Sequence, residues 1–116
     1  LSEKWELIEE RALKRKRFLA EWREHVERLA QEVRRLLGDA RVLAFGSAVR
    51  GDWCVESDVD VLIVSPRVPS DAVEGVKLKV RLRELLGACV PLELHLATPE
   101  EFEHWYKRFI DVYEEF

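Results

Sequence analysis

Apolar residues in the first third of the chain recur in alternating steps of three and four. Trp5, Ile8, Ala12, Leu19, Trp22, Val26, Leu29, Val33 and Leu36 form the stripe, and Arg15 interrupts it. This spacing predicts one long helix over 2–37, with Arg34 and Arg35 in its last turn and Gly38 as its C-cap. At 1.5 Å per residue such a helix is about 50 Å long, whereas a domain of this size has a radius of gyration of about 13 Å. Either the helix breaks near 14–17 or its front half overhangs the core. In the second case Trp5, Ile8 and Leu19 lie on a stripe that needs a partner, a second copy of the chain included.

The pattern then changes period. Two apolar runs, 42–45 and 59–64, read as buried strands. Between them, 47–50 reads as a short helical turn and Gly51-Asp52 as a tight bend. After Ser65-Pro66, Ser70 is placed to cap a helix whose buried stripe is Leu78, Leu82, Leu85 and Leu86, with Gly87 at its end. A third strand covers 90–97, with Val90, Leu92, Leu94 and Leu96 on one face and Glu93 and His95 on the other. Thr98-Pro99-Glu100-Glu101 carries the signature of a helix start. The stripe Phe102, Trp105, Tyr106, Phe109, Tyr113 and Phe116 predicts that this last helix runs to the chain end.

Composition narrows the class. At 116 residues the chain is the size of one domain, with a single core that needs no disulfide or metal to hold it. It is 47% hydrophobic and 36% charged, no apolar run approaches the ~20 residues of a membrane span, and the charged start lacks a signal-peptide pattern. A cytoplasmic location is expected, with Leu1 in place of Met suggesting a processed, trimmed or unusually initiated chain. A net charge of −4 argues against a general nucleic-acid binder. The basic run Lys14-Arg15-Lys16-Arg17 admits a nucleic-acid contact. It reads better as a solvated helix face with i,i+4 pairs Glu10–Lys14 and Arg17–Glu21. Cys54 and Cys89 match no zinc or redox spacing and are expected to be free, buried thiols. The absence of Asn and Met and the single Gln31 resemble hyperthermophile composition.

The chemistry is concentrated in 42–64, VLAFGSAVRGDWCVESDVDVLIV. Asp58 and Asp60 are two apart at a strand start and project from one face. Like charges that close repel by roughly 4 kcal/mol at an effective dielectric of 20, so a divalent cation is the usual reason for keeping them. Oxygen ligands on a rigid strand suit Mg²⁺ or Mn²⁺, which take further ligands from phosphates. Gly46-Ser47 supplies the complementary half. Glycine admits a phosphate close to the backbone, a helical turn beginning at Ser47 presents free N–H groups to it, and the Ser47 hydroxyl adds a donor. Arg50 suits a triphosphate and equally suits solvent. Trp53 either shields a base or packs on the core.

Gly46-Ser47, ten residues, then Asp58-Val59-Asp60 resembles the signature of the nucleotidyltransferase superfamily related to DNA polymerase beta. The flanking FGSAVRG and SDVDVLIV resemble its minimal nucleotidyltransferase branch, over roughly 36–116. The resemblance implies an α+β fold, a small mixed sheet of three or more strands packed on helices like the polymerase beta palm, with 41–116 as catalytic core and 1–37 as an added long helix. It implies Mg²⁺ or Mn²⁺ held by Asp58, Asp60 and a third carboxylate, for which Glu93 is the fitting position, as metal ligand or as base. His95 is then a donor behind the carboxylates, a nucleotide contact or simply a surface histidine. Gly46, Ser47 and Arg50 become nucleotide-binding residues. The implied reaction moves an NMP, AMP in particular, from ATP or another NTP to an acceptor hydroxyl. Minimal members of the branch pair with small helical HEPN proteins, often toxins, and some attach AMP to a partner tyrosine. The alternatives are a nucleotide-binding partner module without turnover and an RNA-modifying subunit.

Overall fold

The computed structural model describes residues 3–87 and 90–116. Its elements run α1 (Glu3–Ala20), α2 (Trp22–Leu37), β1 (Arg41–Phe45), α3 (Ser47–Arg50), β2 (Val59–Val64), α4 (Ala72–Leu86), β3 (Leu92–Ala97), α5 (Pro99–His104), a 3₁₀ turn (Tyr106–Arg108) and β4 (Tyr113–Glu115). The architecture is α+β. The strands form one mixed sheet in the order β3-β2-β1-β4. β1 is antiparallel to both its neighbours, while β2 and β3 are parallel and joined through α4.

Alternation along the strands decides what each face of the sheet carries. Val42 and Ala44 of β1, Val59, Val61 and Ile63 of β2, and Leu92 and Leu94 of β3 belong to one core with Val26, Leu29, Ala30 and Val33 of α2 and Leu82 of α4. The intervening residues look the other way. There Leu43, Leu62, Val64 and Ala97 are covered by Phe102 and Ile110. That cover extends over only part of the face. Phe45, Asp60, Glu93 and His95 occupy the remainder, and none of the four is fully buried.

The long amino-terminal helix is two helices. The break falls at Glu21, later than the 14–17 segment. Glu21 leaves helical geometry at ψ 24°, and its N–H is shared between the carbonyls of Arg17 and Phe18. Only Phe18 and Leu19 of α1 are buried. The front of α1 therefore overhangs, with Trp5 56% and Leu13 55% exposed, and the molecule extends 52 Å along its long axis. Leu19 does not belong to this overhang as its spacing suggested; it is fully buried, packed with Trp22 and Val26. Gly38 caps α2 as expected, its N–H donating to the Arg34 carbonyl at 2.9 Å. α4 is capped by Asp71 rather than Ser70, the Asp71 carboxylate accepting from the Glu74 N–H. β3 begins at Leu92, two residues later than expected.

The larger correction is at the carboxyl end. Thr98 and Glu101 form the expected capping box, but α5 stops at His104 and the chain returns as strand β4. The periodic aromatic stripe therefore does not stay on one helix. Phe102 is buried, Trp105 and Phe109 are exposed and lie 5.4 Å apart, and Tyr113 enters β4. β1 would otherwise be an open edge with unpaired backbone groups. Pairing with β4 satisfies it, and the Phe116 N–H continues the ladder onto the Val42 carbonyl at 2.9 Å. Phe116 then packs edge-on against Trp22 with ring centres 5.8 Å apart.

Two ion pairs hold the strand. Arg23 of α2 forks onto Glu114, with its closest contact at 2.6 Å, and Arg41 of β1 onto Glu115 at 2.8 Å. Hydrogen bonds from these guanidinium groups hold both carboxyls below the usual glutamate range. A depressed folded pKa means that the stabilisation is present above the unfolded value and is lost as pH falls through the folded one. β4 is therefore expected to loosen below about pH 4.3, the unfolded glutamate value, before the helical core does. Amide exchange of Tyr113–Glu115 followed down in pH checks this. Glu114→Gln should remove part of the dependence, with only a modest stability loss at neutral pH because both pairs are solvent-exposed.

Candidate active site on the open face of the sheet

Parallel pairing of β2 with β3 sets Asp60 directly beside Glu93 and Leu62 beside His95. The antiparallel partner of Asp60 on its other side is Phe45, the residue before Gly46. One row of the sheet thus carries the residue leading into the first motif, the second carboxylate of the Asp-x-Asp and the third carboxylate.

Asp60, Glu93 and His95 converge. Each offers one donor atom, and these atoms lie within 4.8 Å of one another. The His95 Nε2 is 3.7 Å from Asp60 Oδ1 and 3.9 Å from Glu93 Oε1. That nitrogen is buried and has no hydrogen-bond partner. The ring is walled by Phe45 at 5.6 Å and Tyr106 at 6.4 Å between centres. A buried polar atom without a partner carries a desolvation cost, and this one faces two carboxylate oxygens. Two carboxylates and an imidazole suit a divalent cation such as Mn²⁺, and the oxygens alone suit Mg²⁺. The donor set fits such an ion.

Gly46 has a structural reason tied to the same carboxylate. Its backbone lies at φ 85°, ψ −158°, a region that is essentially glycine's alone. A Cβ there would stand 2.5 Å from Asp60 Oδ2. Glycine in the first motif therefore lets the carboxylate of the second lie against the backbone. Ser47 starts α3, and Gly51 ends that turn with its N–H on the Ser47 carbonyl at 3.0 Å.

The other expected residues are placed differently. Asp58 precedes β2 and is outside the converging group. Arg15 of α1 holds it, with Nη2 3.2 Å from Asp58 Oδ1. The same guanidinium donates to the carbonyls of Val55 and Ser57, each at 2.9 Å. Arg50 is exposed and pairs with Asp52 at 3.5 Å. Trp53 packs partly buried against the main core. Cys54 is exposed, not buried as expected; its thiol is drawn below the ordinary range by the Ser57 hydroxyl and then by the backbone at Glu56. Cys89 lies outside the described residues. Of the basic-run pairs, Glu10–Lys14 forms at 3.3 Å, and Arg17–Glu21 is absent among the described residues.

Two placements escape a reading of the sequence. His95 shares a face with Glu93 by alternation, but nothing local shows that this face also receives Asp60. Arg15 reaches Asp58 across 43 positions, with no sequence signal beyond its interruption of the apolar stripe.

Comparison with known proteins places the fold in a family. The chain matches the profile of the nucleotidyltransferase domain over residues 26–114. A crystal structure of a candidate nucleotidyltransferase superposes with a TM-score of 0.63 at 28% identity, covering 79% of this chain and 97% of that one. A second candidate nucleotidyltransferase, from Sulfolobus solfataricus, shares the fold at a TM-score of 0.55 and 21% identity, covering 91% of this chain and 86% of that one. No curated protein sequence matches significantly. No described helix is long and apolar enough to cross a membrane. With the family profile spanning most of its length, the chain belongs to the nucleotidyltransferase domain family.

Proposed function

We propose that the chain is a metal-dependent nucleotidyltransferase that transfers an NMP, AMP by preference, from a nucleoside triphosphate to an acceptor hydroxyl. The observation that carries this is the convergence of Asp60, Glu93 and His95 on an open face beside Gly46. Asp60 and Glu93 would hold Mg²⁺ or Mn²⁺, joined by Asp58 once it leaves Arg15. A bound divalent cation supplies charge neutralisation at the phosphates and orients them for in-line displacement.

The chain's own residues do the rest. Gly46 allows the triphosphate tail to approach the backbone, and Ser47 with the first N–H groups of its turn fixes that tail. The acceptor oxygen forms a bond to the α-phosphorus as the bond to the pyrophosphate oxygen breaks. Glu93, the most exposed of the three groups at 58%, stands where it can take the acceptor's proton or complete a second metal position. Arg50 swings from Asp52 to the leaving pyrophosphate. Most of the rate gain then comes from positioning and electrostatics.

The open face leaves no enclosure for a large acceptor, so the acceptor arrives from outside. A tyrosine of a small helical HEPN-type partner fits such a geometry, giving the pair a toxin–antitoxin role. The partner would dock on the overhanging α1, where Trp5, Leu7, Ile8 and Leu13 are exposed. The same exposed arm favours a second reading, a nucleotide-binding module whose main task is to grip its partner, without turnover.

Intact-mass spectrometry of a copurifying helical partner, incubated with this chain, ATP and Mg²⁺, separates the two. The enzyme adds one AMP unit; the module adds nothing. Glu93→Gln is expected to reduce transfer by about 10²–10⁴-fold, the usual contribution of a positioned base, while ATP and partner binding fall much less. Undiminished transfer in that variant would remove Glu93 from the chemistry.

A further inference from the structure

A cavity of about 780 Å³ lies away from the open sheet face, between α1 and the chain entering β3. It falls in the size range of small-molecule sites. Arg11, Lys14, Arg15 and Arg17 line one side, with Glu21 at its end. Positions 11, 14 and 15 are three and four residues apart, so their charges face one another on the helix at a cost to it. Glu10 offsets Lys14 at 3.3 Å, and Arg15 is engaged with the 55–58 loop. Arg11 and Arg17 have no ion-pair partner among the described residues.

Beside this cationic rim the lining is apolar. Pro91 and Leu86 line the opposite side, and the Phe18 ring stacks on His25 at 4.4 Å with the planes 4° apart. The His25 Nδ1 is buried and lacks a hydrogen-bond partner. Guanidinium groups along an apolar groove match a ligand that joins a phosphate to a flat, largely apolar heterocycle.

We propose that this groove binds a phosphorylated nucleoside, separate from the triphosphate at the open face, and that Arg15 couples the two places. Arg15 lines the groove and also holds Asp58 at 3.2 Å. Pro91, in the opposite wall, accepts the Val59 N–H at 2.7 Å, next to Asp58. A phosphate in the groove competes with Asp58 for the Arg15 guanidinium. Asp58 is thereby freed to join Asp60 across one residue of β2. Binding in the groove stands by itself; the coupling rests on the metal-site reading of Asp58.

The test is calorimetry with AMP in EDTA, on an Asp60→Asn background that silences the metal-dependent site. One AMP should bind, adenosine should bind at least tenfold more weakly, and added salt should weaken AMP but not adenosine. Arg11→Ala with Arg17→Ala should lose at least tenfold, and both side chains are exposed, so far-UV circular dichroism should be unchanged. A 5′-phosphorylated trinucleotide distinguishes the sources: tighter binding than AMP assigns a strand end, equal or weaker binding a free nucleotide. No heat with either probe, or AMP affinity unchanged in the double variant, overturns the site. For the coupling, Mn²⁺ affinity of the otherwise unaltered protein should rise severalfold with AMP present, and Arg15→Ala should reproduce the rise without AMP. Mn²⁺ binding that is identical with and without AMP overturns the coupling. A protein that binds AMP in EDTA but never binds Mn²⁺ keeps the groove and instead removes the proposed metal site.

Discussion

Asp60→Asn is expected to abolish the Mg²⁺ dependence of ATP binding and to weaken ATP by more than about tenfold. Losses of 10–100-fold follow even when only an outer partner of a metal ligand is removed. The variant should fold normally. Asn keeps the shape of Asp60, including an oxygen facing His95, and removes a like charge beside Glu93. Two charges about 4 Å apart repel by as much as about 4 kcal/mol at an effective dielectric of 20, less where solvent reaches them, so the metal-free variant should be no less stable than the parent. Calorimetric ATP titrations with Mg²⁺ and with EDTA, beside urea unfolding, check both halves. Equal ATP affinity with and without the metal in the parent would remove the metal from the account. A normal metal effect in Asp60→Asn would remove Asp60.

Gly46→Ala should damage fold and site together. The backbone at φ 85°, ψ −158° costs a non-glycine residue about 1–3 kcal/mol. The added Cβ also meets Asp60 Oδ2 at 2.5 Å, so the carboxylate must turn away from Glu93 and His95 or the turn must shift. Gly51→Ala is the matched control. It too sits at positive φ, 83°, but a Cβ there meets nothing within 4 Å. Both variants should lose stability to denaturant, and only Gly46→Ala should lose Mn²⁺ affinity as well. Equal loss of Mn²⁺ affinity in the two would mean that backbone strain, and not the contact with Asp60, links the motifs.

These contrasts also mark what a reading of the sequence reached. The strands around the motifs were legible because their apolar runs are short, bounded by turn residues and alternate where one face is open. Alternation alone puts Asp58 with Asp60 on one face and Glu93 with His95 on another; only the family resemblance joins Glu93 to the aspartates. The register that sets Asp60 and Glu93 side by side belongs to the β2–β3 pairing, which no local pattern encodes. The carboxyl end misled for the same reason. Trp105, Tyr106, Phe109 and Tyr113 satisfy a helical period, but the open edge of β1 lies some 70 positions earlier and outweighs it. Glu21 gives no sign of a break because the apolar stripe continues through it. Leu19 belongs to the part of that stripe which the core buries, and Trp5 to the part which it cannot reach. Asp58 shows the same limit, since its partner Arg15 lies 43 positions away on α1.

If the open sheet face binds a metal–nucleotide complex through Asp60 and Glu93, the ion itself should be visible between them. Anomalous diffraction from crystals grown with Mn²⁺ and a non-hydrolysable ATP analogue tests it most directly. A manganese peak in direct contact with the Asp60 and Glu93 carboxylates is expected, with the phosphate tail against Gly46 and Ser47. A nucleotide bound elsewhere, with no manganese between Asp60 and Glu93, would contradict it.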